Sequence, residues 1–395
     1  MQAFLWKNIP RAIRGGTGRC AKRSTRRREF ARWGRLNHSK ATVQRFEEVD
    51  GLRAVACALV IWHHVADAFA EIASGGLWLR DLAVAGNVGW IGVLTFFAIS
   101  GYVIPNSLRG MRAEGLKRFG LRRFWRLYPP FWFALIATCL MNRADFSAAR
   151  LGWNVTMLPS MGGAEPAAGH FWTLEIELVF YALIAVLFLS FGRLGWKVIL
   201  PVYLVLGFCY IEWSRLEFED HWRWTLLFLW IMFWGALCRE ITRFDFARWV
   251  GVRWVGIVRA VALGLSTGAL LMRPLKSALF GFLDGQRGTL LFGMSTSTAI
   301  LLFLFWVIVF RVRLPGLARL GRWTYSTYLL HAVVFYGGLK IIRGFELTFL
   351  TGWPLPVYLI ALMVLCYAVG GLAYRWIELP SDRVGHRLTN RPPPE

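Results

Sequence analysis

The sequence is poor in acids. Its 395 residues carry 23 Asp and Glu against 46 Lys and Arg, a formal net charge of +23. In a soluble chain that imbalance would point to nucleic acid. Cysteine is scarce and scattered: Cys20, Cys57, Cys139, Cys209, Cys238 and Cys366 include no CxxC spacing, which argues against a zinc pattern or a disulfide framework. The first 45 residues lack the short apolar core and small-residue cleavage site of a signal peptide. No internal repeat or appended soluble domain is visible.

Apolar residues, by contrast, are abundant. They make up 56% of the chain, with 21 Trp and a mean hydropathy of +0.45, above the 45–50% usual for soluble domains. About 20 predominantly apolar residues span a bilayer as a helix. Ten segments qualify as candidates: 52–71, 87–105, 127–142, 171–190, 198–212, 224–239, 254–272, 289–310, 324–342 and 355–374. With the N-terminus in the cytosol, 35 of the 46 Lys and Arg fall at or beyond cytosolic ends of these spans. Ten fall at outer ends, and Arg259 lies within a span. That asymmetry follows the positive-inside rule, so the basic charge is accounted for without nucleic acid. The expected fold is all-α, a polytopic membrane protein with about ten transmembrane helices in one bundle. A basic cytosolic tail (1–48), suited to anionic headgroups, would precede a membrane domain (49–385), and 386–395 would form a disordered C-terminal tail. The long loop 143–169 could cover a site on the outer face.

Several polar groups sit at membrane depth, where they are costly and usually face a bundle interior or wet cavity. In DGLRAVACALVIWHH, Arg53 and His64 are eleven residues apart. They share one helix face about 16 Å apart along the axis, while His63 points elsewhere. Asp67 lies within helical reach of either ring. Snorkelling of Arg53 and interhelical hydrogen bonding of the histidines is the plainer alternative. In TFFAISGYVIP, Ser100–Gly101 interrupts an apolar run, as small residues do where helices approach closely; Ser100 is not in a GxSxG elbow. In KRFGLRRFWRLYPPFW, Arg123 and Arg126, with Arg122 beside them, can clamp phosphates or simply anchor the span. In GHFWTLEIELVFYAL, His170 and Glu177 lie near one face, whereas Glu175 faces away. Two carboxylates in one span require partners. In LGRWTYSTYLLHAVVF, Tyr325, Tyr328 and His331 recur every three residues. His63, His64 and Asp67 are too few and too crowded for zinc, and no metal is expected.

Read together, these segments resemble the membrane acyltransferase family 3, whose O-antigen acetyltransferases modify bacterial surface sugars. The resemblance is carried by Arg53 and His64 as R-x10-H, by FFAISGYVI, and by Arg123 and Arg126 in RRFWRLYP. It continues through Trp172 and Glu177 in FWTLEIELVFY, GRWTYSTYLLH, and Glu378 and Pro380 in a terminal IELP. These recur in order from about residue 46 to 385. The resemblance implies ten helices in the bacterial inner membrane with both termini cytosolic, and an acyl-CoA donor, commonly acetyl-CoA, entering from the cytosol. The acyl group would pass to a hydroxyl of a glycan or other acceptor on the outer face. His64, Arg53 and Glu177 would be catalytic. Arg123, Arg126 and Arg122 would hold donor phosphates. Trp172, His170, Ser100, Tyr328 and His331 would contact substrate or support the site. His64 would serve as general base or as acyl carrier. Partners are acyl-CoA, acceptor and membrane lipid. A transporter or flippase of a glycan or small metabolite is the competing expectation, since polar groups at membrane depth also mark transport paths.

Overall fold

The computed structural model describes residues 46–141, 147–213 and 220–390. The tail assigned to 1–48 therefore lies almost wholly outside the described residues, as do 214–219 of the acidic loop and 391–395. Among the described residues the regular structure is helical apart from an isolated bridge between Gly75 and Pro354.

Among the described residues ten long helices form the framework: α1 (Glu47–Phe69), α2 (Val88–Val103), α3 (Arg112–Met141), α4 (Trp172–Phe191) and α5 (Trp196–Trp213), then α6 (Asp220–Arg243), α7 (Val255–Leu283), α8 (Arg287–Phe303), α9 (Thr324–Gly344) and α10 (Leu355–Ala373). Each contains most of one span read from the sequence. Among the described residues, eight helical segments are long and apolar enough to cross a membrane; α3 and α9 are not among them. The reason is composition. The first half of α3 holds Arg112, Lys117, Arg118, Arg122, Arg123 and Arg126, and α9 opens with Thr324, Tyr325, Ser326, Thr327 and Tyr328. These two helices carry much of the polar site described below; the opening residues of α9 are buried or half-buried, and Arg122, Arg123 and Arg126 of α3 are half-buried. A helix shielded by protein need not be apolar all round.

One core region joins α1, α9 and α10: Cys57, Val60, Ile61, Val65 and Phe69 pack with Tyr328, Phe335, Leu362 and Cys366. Tyr367 of α10 donates a 2.7 Å bond to the carbonyl of Ala54, fastening α10 to α1. By contrast α7 is largely an outer helix, leaving Ile257, Val261, Leu265, Met272 and Leu279 exposed, as a lipid-facing helix does.

The α2–α6 crossing is very close. A Cβ added at Gly101 would lie 1.8 Å from the Met232 carbonyl oxygen, and one at Gly235 would lie 2.2 Å from that of Ala98. The Ser100–Gly101 break in the apolar run thus serves helix approach, the interpretation that small residues favour.

Two expectations are revised. The described part of the loop 143–169 folds back along α3 instead of capping the end of that helix. Its short helix Ala148–Val155 folds against the middle of α3, where Tyr128 donates to the Thr156 carbonyl (3.1 Å) and Trp132 to that of Val155 (3.0 Å). Tyr128 is about 20 Å along the helix from Met141, so the loop descends deeply. Its backbone is satisfied locally: the buried Asn154 side chain donates to the carbonyls of Arg150 and Glu165 and accepts from the Ala167 N–H. Such internal pairing is what permits irregular chain at membrane depth. The second revision concerns the C-terminus. A helix runs over Leu379–Thr389, four residues into the stretch read as disordered, because Arg122 of α3 donates 2.8 Å bonds to Thr389 and Asn390.

Candidate active site

The descending loop and α4 bring His170 to α1 and α9. His331, on α9, stands between two other imidazoles, its ring centroid 4.5 Å from His170 and 5.5 Å from His64. Phe335, one turn on, stacks near His64 at 6.1 Å. His63 and His64 part company as their helical phase requires. Gly89 of α2 packs directly on the His63 ring, while His64 turns to α9.

The three clustered rings differ in what their nitrogens meet. His170 Nε2 lies 3.2 Å from the Leu329 carbonyl. His331 Nδ1 lies 2.5 Å from the Tyr328 carbonyl, and its Nε2 is buried without a partner among the described residues. His64 is half-buried, forms no hydrogen bond within the described residues, and neither of its nitrogens is among the sealed, unpartnered atoms. It is therefore the ring of the three that can meet a substrate without first breaking a protein contact. Asp67 forms no hydrogen bond with it among the described residues and acts on it only at electrostatic range. That carboxylate accepts from Arg80 at 3.2 Å and stays exposed.

Tyr328 fixes the geometry. Its hydroxyl lies 3.1 Å from the His170 carbonyl and 3.0 Å from Thr173 Oγ1, tying α9 to the start of α4. Tyr328→Phe is expected to cost about 1–2 kcal/mol through these lost bonds. Detergent melting would check it, and Thr173→Val in the same background should add less than its separate effect because the two share one bond.

The charged part lies deeper along α1. Arg53 donates to Asp50 at 3.0 Å on its own helix and faces Arg126 and Glu177 at electrostatic range. Glu177 accepts from Tyr181 at 2.5 Å. Glu175, by contrast, is buried and accepts from the Ser160 N–H at 3.3 Å, so it braces the descending loop.

The three arginines of RRFWR separate. Arg122 is fastened to the C-terminal helix, as above. Arg126 faces Glu378, Asp382 and Glu177. Arg123 lies over the rings of Tyr181 (5.5 Å) and Phe119 (5.6 Å) and reaches Ser107 at 3.4 Å. Glu378 had a place in the sequence pattern but no role. It is buried and accepts from Ser326 at 2.7 Å, which locks α9 to the chain beyond α10. Trp172 belongs to an aromatic cluster with Phe228 (5.3 Å) and Phe97 (6.2 Å), and Ser100 joins none of these contacts.

Residues 46–375 match a family model described as an acyltransferase domain. Over 195 residues the chain is 29% identical to the peptidoglycan O-acetyltransferase OatA of Listeria monocytogenes, a stretch covering 42% of this chain and 28% of that protein. Over 382 residues it is 25% identical to the "Putative membrane-bound transacylase BcsY" of Komagataeibacter xylinus, covering 88% of this chain and 85% of that protein. The chain thus spans well under two thirds of the Listeria relative and most of the Komagataeibacter one. No solved structure matches.

Proposed function

This chain belongs to membrane acyltransferase family 3, and from that premise we propose that it moves an acyl group from cytosolic acyl-CoA, acetyl-CoA in the first instance, to a hydroxyl of a surface or periplasmic glycan. The observation that carries the reading is His64. It is an unpartnered imidazole within a cluster of buried histidines, on the helix that also carries Arg53 toward Glu177 and Arg126. The O-acetyltransferase and transacylase names of the two relatives support the same class of chemistry.

The geometry supports the following division of labour. His64 takes the proton of the acceptor hydroxyl as general base. The oxygen forms its bond to the thioester carbonyl carbon, the carbon–sulfur bond breaks, and the proton passes to the departing thiolate. Arg53 and Glu177 orient polar groups of the reactants between α1 and α4. His170 and His331, held by backbone carbonyls, keep the shape of the histidine cluster. Arg123, resting on aromatic rings, meets the donor's phosphates, with Arg126 behind it and Arg122 securing the helix that carries both. The enzyme sits in the inner membrane with both termini in the cytosol.

Purified full-length protein in liposomes should release free thiol from acetyl-CoA when supplied with the acceptor glycan. Surface glycans of cells lacking the gene should lose the mass of one acyl group. Glycan translocation without thiol release would overturn this reading in favour of a transporter. Arg123→Ala should raise KM for the donor several-fold with a smaller change in kcat, since a lost charge-assisted bond to phosphate acts mainly on binding.

A further inference from the structure

The separation of Arg122, Arg123 and Arg126 leaves Arg123 as the one turned toward Ser107, and the fold gives it other companions. Helices α2 and α6 run side by side in the same direction and in step: Ala98 lies against Gly235, Tyr102 against Arg239, and Asn106 against Arg243. Their ends therefore finish together at the short turn Ile104–Ser107, on the face read as cytosolic. Arg239 is buried to nine-tenths with its guanidinium 4.8 Å over the Tyr102 ring. Arg243 donates to Asn106 Oδ1 and faces both Arg239 and Arg109. Arg118 donates to the backbone carbonyl of Arg109, and Arg123 reaches Ser107. Five guanidinium groups thus gather around one turn. Glu240 lies beside Arg239 and Arg243, and Glu114 precedes Arg118 by one helical turn. Among the described residues, these two carboxylates stand near the five guanidinium groups.

We propose that this α2–α6 cradle, centred on Arg243, Arg239, Arg109 and Arg123, is the polyphosphate subsite for the nucleotide end of the acyl donor. The inference rests on the acyl-CoA reading above and deepens it. Clustered like charges repel, so their convergence is stabilised by a ligand that brings several negative charges at once. Coenzyme A has that chemistry, with a diphosphate and a further phosphate on its ribose. Guanidinium forks match phosphate oxygens in pairs. Arg239, withdrawn from solvent beside Tyr102, gives the cradle a floor; Arg243 and Arg109, both exposed, give it a rim. An anionic lipid headgroup offers the same phosphate chemistry from a different source.

The test is coenzyme A binding to purified full-length protein in detergent by calorimetry, repeated with Arg243→Glu, Arg109→Glu and the control Arg313→Glu, whose arginine pairs with Glu48 elsewhere. The two rim positions are chosen because both side chains are exposed; Arg243→Glu gives up the bond to Asn106, which Arg109→Glu leaves in place. Each rim variant is expected to weaken coenzyme A roughly tenfold or more and to flatten the salt dependence of binding, while Arg313→Glu stays near wild type. Wild-type binding that both rim variants retain unchanged overturns the subsite and leaves the acyl-CoA reading standing. No binding by the wild-type protein overturns both. Should the rim variants keep coenzyme A affinity but lose phosphatidylglycerol retained in nanodiscs, the cradle is a lipid anchor and the subsite is overturned.

Discussion

His64→Ala is expected to lower acyl transfer by about 10²–10⁴-fold, the range for loss of a general base, while insertion and detergent melting stay close to wild type. The structure separates the chemical effect from the structural one. His64 is half-buried and makes no hydrogen bond within the described residues, so its loss strands no polar partner. His63→Ala, one residue away, should keep most activity. That ring is packed on Gly89 of α2, and its Nδ1 is sealed from solvent without a partner. Its loss empties space between α1 and α2 and acts on stability before activity. Both rates are measured as thiol release per folded molecule. Equal losses at the two positions, or full activity in His64→Ala, would remove the imidazole from the mechanism.

Gly101→Ala is expected to destabilise the protein by about 1–3 kcal/mol, the cost of forcing extra volume into a packed contact. Alanine favours a helix over glycine by about 1 kcal/mol, so propensity alone predicts the opposite sign. Contact decides the outcome. The new Cβ would lie 1.8 Å from the Met232 carbonyl oxygen and 2.5 Å from its carbon, and backbone cannot turn aside as a side chain can. The helices must separate, which also shifts Asn106 from Arg243 and Tyr102 from Arg239. Thermal melting in detergent should therefore fall, and donor affinity should fall with it. A rise in melting temperature would show that the α2–α6 crossing accommodates a Cβ at this position. Gly120→Ala is a suitable control, since nothing lies within 4 Å of its added Cβ.

The two helices that fail the hydropathy criterion show how site and fold compete for the same positions. Arg123 and Arg126 on α3, and Tyr325, Tyr328 and His331 on α9, occupy places that an ordinary span would fill with Leu or Val. Both segments were legible as helices from the sequence. Their polar content, which lowers the membrane signal, also marks them as lining the interior.

The sequence alone determined the membrane class, the helical framework, the family and the shared face of Arg53 and His64. The membrane class, the framework and the shared face follow from composition or from a fixed angle per residue, and the family from motifs recurring in order; all are read along the chain. Tertiary structure decided what stands opposite each face. Periodicity put Asp67 within reach of the histidines, yet the fold gave it to Arg80. Spacing grouped Arg122, Arg123 and Arg126, yet packing sent them to the C-terminal helix, the Tyr181 ring and a set of acids. Length suggested an outer covering loop, yet its described part descends along α3 to deliver His170. Arg239 and Arg243 read as ordinary inside-positive charge until the Gly101 and Gly235 contacts carried them to the end of α2. The physical reason is the same in each case. The cost of burying a polar group requires a partner, but which partner is set by helices that meet from far apart in the chain.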